Sequence, residues 1–135
     1  MRIFFRILSP FLFCALFSNI SFAQRNPADT ALDKVEVEAS FPGGLTAWSK
    51  YITKQIMQNA DQFTRKDYGT CIVRFIVDTL GSVRDVEAMS MKRSRLAKIA
   101  IHAIENGPKW VPAQQNGRYV NAYRLQPVTV SAPGK

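Results

Sequence analysis

Residues 107–130 read GPKWVPAQQNGRYVNAYRLQPVTV, and the fold is legible outward from them. Gly107 and Pro108 stop whatever helix precedes them. Glycine tolerates the left-handed cap and proline cannot continue a helix. Trp110 follows between two prolines, and a Trp this placed is a wedge between a helix and a sheet. Asn116-Gly117 is a two-residue hairpin signal, because a type I′ turn needs positive φ at both central positions. Residues 119–125 alternate well enough to continue as a strand. Pro127 has no N–H to donate, so the C-terminal strand belongs at a sheet edge or a bulge.

Upstream, Leu96, Ile99, Ala100, Ala103 and Ile104 recur at helical spacing and mark a core-facing stripe. Ser94 is its N-cap. Residues 70–78 alternate strictly. Cys71, Val73, Phe75 and Val77 form the core face; Thr70, Ile72, Arg74 and Ile76 face solvent or a partner. A turn at residues 78–81 leads into a strand over residues 82–89. Val83 and Val86 are three apart there, which implies a β-bulge near Arg84 and Asp85. Leu45, Trp48, Ile52 and Ile56 give a first helix over residues 44–59. Residues 35–39 alternate and predict a short first strand. Residues 59–68 are polar and read as loop, with a further helical turn as the alternative. The fold class is α+β: a two-layer sandwich with an antiparallel sheet of three to four strands and two helices on one face.

The first 23 residues have the pattern of an export signal. Arg2 and Arg6 precede an apolar run, and Ser21-Phe22-Ala23 places small residues for cleavage before Gln24. An uncleaved inner-membrane anchor is the alternative, although residues 7–23 sit at the short limit of about 17–25 for a spanning helix. Bulky Phe13 before Cys14 disfavours lipidation there. Residues 24–34 read as a disordered leader, reaching at most about 40 Å if extended. The folded domain is expected over residues 35–130, with a frayed tail at 131–135.

Composition narrows function. The hydrophobic fraction of 47% permits a small core. Cleavage would lower the formal charge of +8 by two and leave Cys71 as a lone cysteine. The domain is then held by its core rather than by a disulfide. The basic residues are scattered, and export argues against a nucleic-acid partner. His102 is the single histidine, so neither a metal site nor a cofactor is expected, and no motif for a catalytic nucleophile or base occurs. The sequence therefore predicts a non-enzyme that recognises a partner by backbone and shape. An open edge strand can accept a peptide as an additional strand. The same edge, blunted by Arg124 and Pro127, could instead be inert, or could pair two copies into a homodimer.

Several short stretches, in order and at matching spacing, resemble one family. They are Phe41-Pro42-Gly43-Gly44, the helix with Trp48, Tyr51 and Ile52, Gly69-Thr70, Phe75-Ile76-Val77-Asp78 followed by Gly81, and Pro108-Lys109-Trp110-Val111-Pro112-Ala113 with Gln115-Asn116-Gly117. Over most of residues 35–130 the chain is similar to the C-terminal domain of TonB proteins, in the form common in Bacteroidetes. The resemblance implies a periplasmic domain that grips the TonB box, an N-terminal segment of outer-membrane transporters, beside its C-terminal strand. That strand corresponds to about residues 119–128, with Tyr119, Tyr123, Arg124, Leu125, Gln126 and Val128 as partner-binding candidates, mainly through backbone atoms. The family's Tyr-Pro pair after the first helix is absent here. The family's long proline-rich spacer has no counterpart either, so the expectation is a free periplasmic binding module. Its partner is a transporter or another envelope protein; the alternative is a self-associating scaffold domain without energy transduction.

Overall fold

The computed structural model describes residues 30–134. The expected signal and most of the leader lie outside that range. Helix α1 spans Gly44–Met57. Strand β1 (Gly69–Val77) pairs antiparallel with β2 (Val83–Ala88). Helix α2 (Arg95–Glu105) follows, then a small hairpin of β3 (Ala113–Gln115) and β4 (Arg118–Val120), and finally β5 (Ala122–Val130). The main sheet has the order β2-β1-β5, and β3-β4 forms a separate two-stranded sheet. This is the expected α+β sandwich, with three strands in the main sheet.

The strict alternation of β1 decides which face carries the helices. Cys71, Val73, Phe75 and Val77 are fully buried and join Trp48 and Ile52 of α1 and Leu96, Ala97, Ala100, Ala103 and Ile104 of α2 in one core. Trp110 is the wedge foreseen between helix and sheet. Its ring lies 4.9 Å from Phe75 and 5.7 Å from both Phe41 and Trp48. Ser94 caps α2 by accepting a hydrogen bond from Ala97 N at 3.0 Å. The β1–β2 register shifts between Arg74 and Ile76, and Asp85 there has φ 54°. That is the bulge the broken alternation implied. Asn116 (φ 51°) and Gly117 (φ 72°) form the hairpin turn.

Three local expectations change. Residues 35–39 form no strand of their own. Val37 bridges Gln114 and Ser40 bridges Val111. Pro112 lies between those partners and has no N–H to donate, so the pairing stays as two bridges instead of a ladder. Leu45, placed on the apolar stripe of α1, is 77% exposed, because the helix has only just begun there. Ile76, expected on the solvent face, is 4% exposed. It lies directly opposite Arg84 on one side and Tyr123 on the other, and directly opposed residues share a face, so long side chains flank it.

Residues 59–68 hold two short 3-10 turns, Ala60–Gln62 and Arg65–Asp67, and a contact that their polar composition concealed. Asp67 is buried and accepts from Thr64 N at 2.8 Å and from Arg95 N at 2.7 Å. Those two backbone donors, first Thr64 and then Arg95, pull its pKa down to about 2. The carboxylate thereby ties the loop before β1 to the first turn of α2.

Candidate strand-addition edge

Two strands of the main sheet have an outer edge, β2 and β5. Strand β2 is a poor template, being six residues long with a bulge and charged side chains. Strand β5 is nine residues long and pairs with β1 without a register shift from Gly69–Val130 to Val77–Ala122.

Which backbone groups of β5 face outward follows from β1. Ile72 N donates to Ser90 Oγ at 2.9 Å, and Ile72 O accepts from Met89 N at 2.7 Å. Both polar groups of Ile72 thus point away from β5. Its partner Pro127 is therefore in a non-hydrogen-bonded pair, and the backbone of Pro127 faces the open edge. By alternation Tyr123, Leu125 and Thr129 present their N–H and C=O outward as well. Arg124, Gln126 and Val128 spend theirs on β1. Pro127 accordingly sits where its missing N–H costs the sheet nothing, as its presence in the sequence required.

Side chains sort by the same register, since directly opposed residues share a face. Tyr123, Leu125, Pro127 and Thr129 lie with Ile76, Arg74, Ile72 and Thr70 on the outer face. Leu125 is 56% exposed there. Arg124, Gln126 and Val128 lie on the helix face with Phe75, Val73 and Cys71. Val128 is core, and Gln126 is buried with its Oε1 3.4 Å from Arg124 Nη2. Tyr119 is apart from the others, because β4 ends at Val120 and β5 begins at Ala122, and Tyr119 pairs with Gln114 in the small hairpin. Of the six candidate residues, Tyr123 and Leu125 bring both backbone and side chain to the edge. Thr129 does so too, and the Pro127 parity was the signal that could have found it.

Charge frames the start of this edge. The Arg74 guanidinium lies 3.9 Å above the Tyr123 ring, 3.7 Å from Glu87 and 3.8 Å from Asp33. Arg124 is bonded to Glu38. Its Nε is buried with no hydrogen-bond partner among the described residues, and burial pulls its pKa below the ordinary value. A cavity of about 130 Å³ opens between these groups and Leu125. Two residues of the expected leader region take part, which local composition did not reveal. Leu32 N donates to Asn121 O and Leu32 O accepts from Tyr123 N, both at 2.9 Å, so Leu32 bridges Ala122 in the parallel sense.

Cys71 is fully buried, and that burial raises its thiol pKa. Among the described residues no group of three His, Cys, Asp or Glu is placed to hold a metal ion. Among them, too, no helix is long and apolar enough to cross a membrane.

Comparison with known proteins gives one family. The family model for the Gram-negative bacterial TonB protein C-terminal matches residues 63–129. The match takes in both strands of the β1–β2 hairpin, α2, the β3–β4 hairpin and nearly all of β5, and begins after α1. No curated protein and no solved structure matches the chain. The family is associated with TonB-dependent transport, and residues 63–129 of this chain belong to the TonB C-terminal domain family.

Proposed function

We propose that this protein is a periplasmic peptide-binding module that accepts a segment of an outer-membrane transporter, or of another envelope protein, as an added strand along β5. The observation that carries this reading is the outward backbone of Leu125 and Thr129. Among the described residues nothing pairs with it, and it lies on the C-terminal edge strand of a TonB C-terminal domain. Backbone pairing there supplies affinity, and alternate side chains at Tyr123, Leu125 and Thr129 supply selectivity. The exposed apolar surface of Leu125 and Ile72 adds a footing for an apolar residue of the partner.

Titration of the ¹⁵N-labelled protein with peptides copying transporter N-terminal segments from the same cell tests the reading. Amide shifts centred on Leu125 and Thr129 are expected. Silence along β5 with every such peptide would sink it. Sedimentation over a range of concentrations is expected to give a monomer. A dimer whose formation protects those amides would favour the self-associating alternative instead.

A further inference from the structure

The edge of β5 is already half used, and by the chain itself. Leu32 takes the Tyr123 N–H and the Asn121 carbonyl as a parallel strand would. From there the chain wraps around the edge. Asp33 meets Arg74, whose register partner is Leu125 on the outer face. Glu38 meets Arg124, whose register partner Phe75 lies in the core on the helix face. Between these two ion pairs the segment is fastened to the β3–β4 hairpin. Glu36 accepts from Asn116 N at 3.1 Å, and Val37 exchanges two backbone hydrogen bonds with Gln114.

We infer that residues 30–38 form a strap that competes with the partner strand for β5, and that the partner displacing it is an acidic extended peptide. The inference rests on the strand-addition reading above. Three N–H donors point outward along β5, at Tyr123, Leu125 and Thr129, and the strap holds one of them. A partner limited to the free part of the edge is left two donors separated by Pro127. A partner that pairs along the whole edge gains the third only by evicting Leu32. Eviction also strips Arg124 and Arg74 of Glu38 and Asp33. Arg124 already has a buried Nε without a partner. Leaving its guanidinium partly desolvated and unpaired is costly. A displacing strand therefore binds best when it brings carboxylates of its own, as the strap does.

The strap itself supplies the probe. A synthetic peptide copying residues 29–38 (DTALDKVEVE) is added to the mature chain and to its Leu32→Pro/Asp33→Lys variant. The substitutions remove the Leu32 donor and set a lysine against Arg74. In the unliganded variant the Tyr123 amide should exchange faster, while the Phe75 amide within the sheet keeps its wild-type rate and reports an intact fold. The peptide should bind the variant about tenfold more tightly, as expected if the strap leaves the wild-type edge open about one-tenth of the time. A copy with Asp33→Lys and Glu38→Lys should not bind. Equal Tyr123 exchange in both proteins, equal peptide affinity, or equal binding of the lysine copy overturns the strap or its charge requirement while strand addition survives. Binding of neither this peptide nor any transporter peptide to either protein removes the edge as a site, and the strand-addition reading falls with the strap.

Discussion

Gly81 offers the sharpest test of how the turn after β1 is held. Its φ is +81°, and a Cβ built on it would lie 2.1 Å from the Trp110 carbonyl oxygen. The neighbouring backbone is fully engaged. Gly81 N donates to Asp78 O and Trp110 N donates to Gly81 O, both at 2.9 Å. Asp78 Oδ1 also accepts from Leu80 N and Ser82 N. Gly81→Ala must therefore push the turn and the Trp110 segment apart. The left-handed backbone costs an alanine about 1–2 kcal/mol. Breaking the Trp110–Gly81 hydrogen bond costs about 1 kcal/mol. Displacing Trp110, packed against Phe75 and Trp48, adds about 1 kcal/mol or more as overpacking strain. The expected loss is about 3–4 kcal/mol. Gly117→Ala is the control, since Gly117 has φ +72° but open space within 4 Å. It should lose only the same backbone strain of about 1–2 kcal/mol. Urea unfolding followed by tryptophan fluorescence measures both, with the slope checked for constancy. If the two variants agree within about 0.5 kcal/mol, close to the resolution of such measurements, the contact with Trp110 does not constrain the turn.

Tyr51 Oη donates to Ala103 O at 2.8 Å and joins α1 to α2, so Tyr51→Phe should lower unfolding stability by about 1 kcal/mol by the same assay. Asp67 has a folded pKa of about 2 against an ordinary 3.8, so its contribution is complete above the ordinary value and lost as pH falls through about 2. Asp67→Asn should lower stability at neutral pH and flatten the decline across that acid window, read from melting temperatures at stepped pH. Cys71 is fully buried with its thiol pKa raised by that burial. A thiol reagent at mildly alkaline pH should leave it unmodified in the folded protein and label it stoichiometrically in urea.

The sequence reported most reliably where a pattern is local and repeated. Alternation over β1 identified the core face residue by residue, and the three-residue step from Val83 to Val86 located the bulge. Asn116-Gly117 marked the hairpin because few residue pairs tolerate its backbone. Contacts between distant segments were invisible for the same reason. Nothing near Asp67 announces Arg95 as its partner. Nothing near Leu32 announces the β5 edge, and a short polar stretch reads as leader until its partner is in view. The edge itself was legible through Pro127. Which residues present their backbone to it was not, because that depends on the hydrogen-bonding parity set by Ile72 across the sheet.

That parity makes amide hydrogen exchange the most direct measurement of strand addition on β5. Exchange rates along the strand would be compared with and without a bound partner peptide. Strand addition predicts slowing at Leu125 and Thr129, whose N–H groups face outward, with Arg124, Gln126 and Val128 unchanged because β1 already protects them. A peptide that binds while protecting β2, or the β3–β4 hairpin, and leaves Leu125 and Thr129 exchanging at their free rates would contradict it.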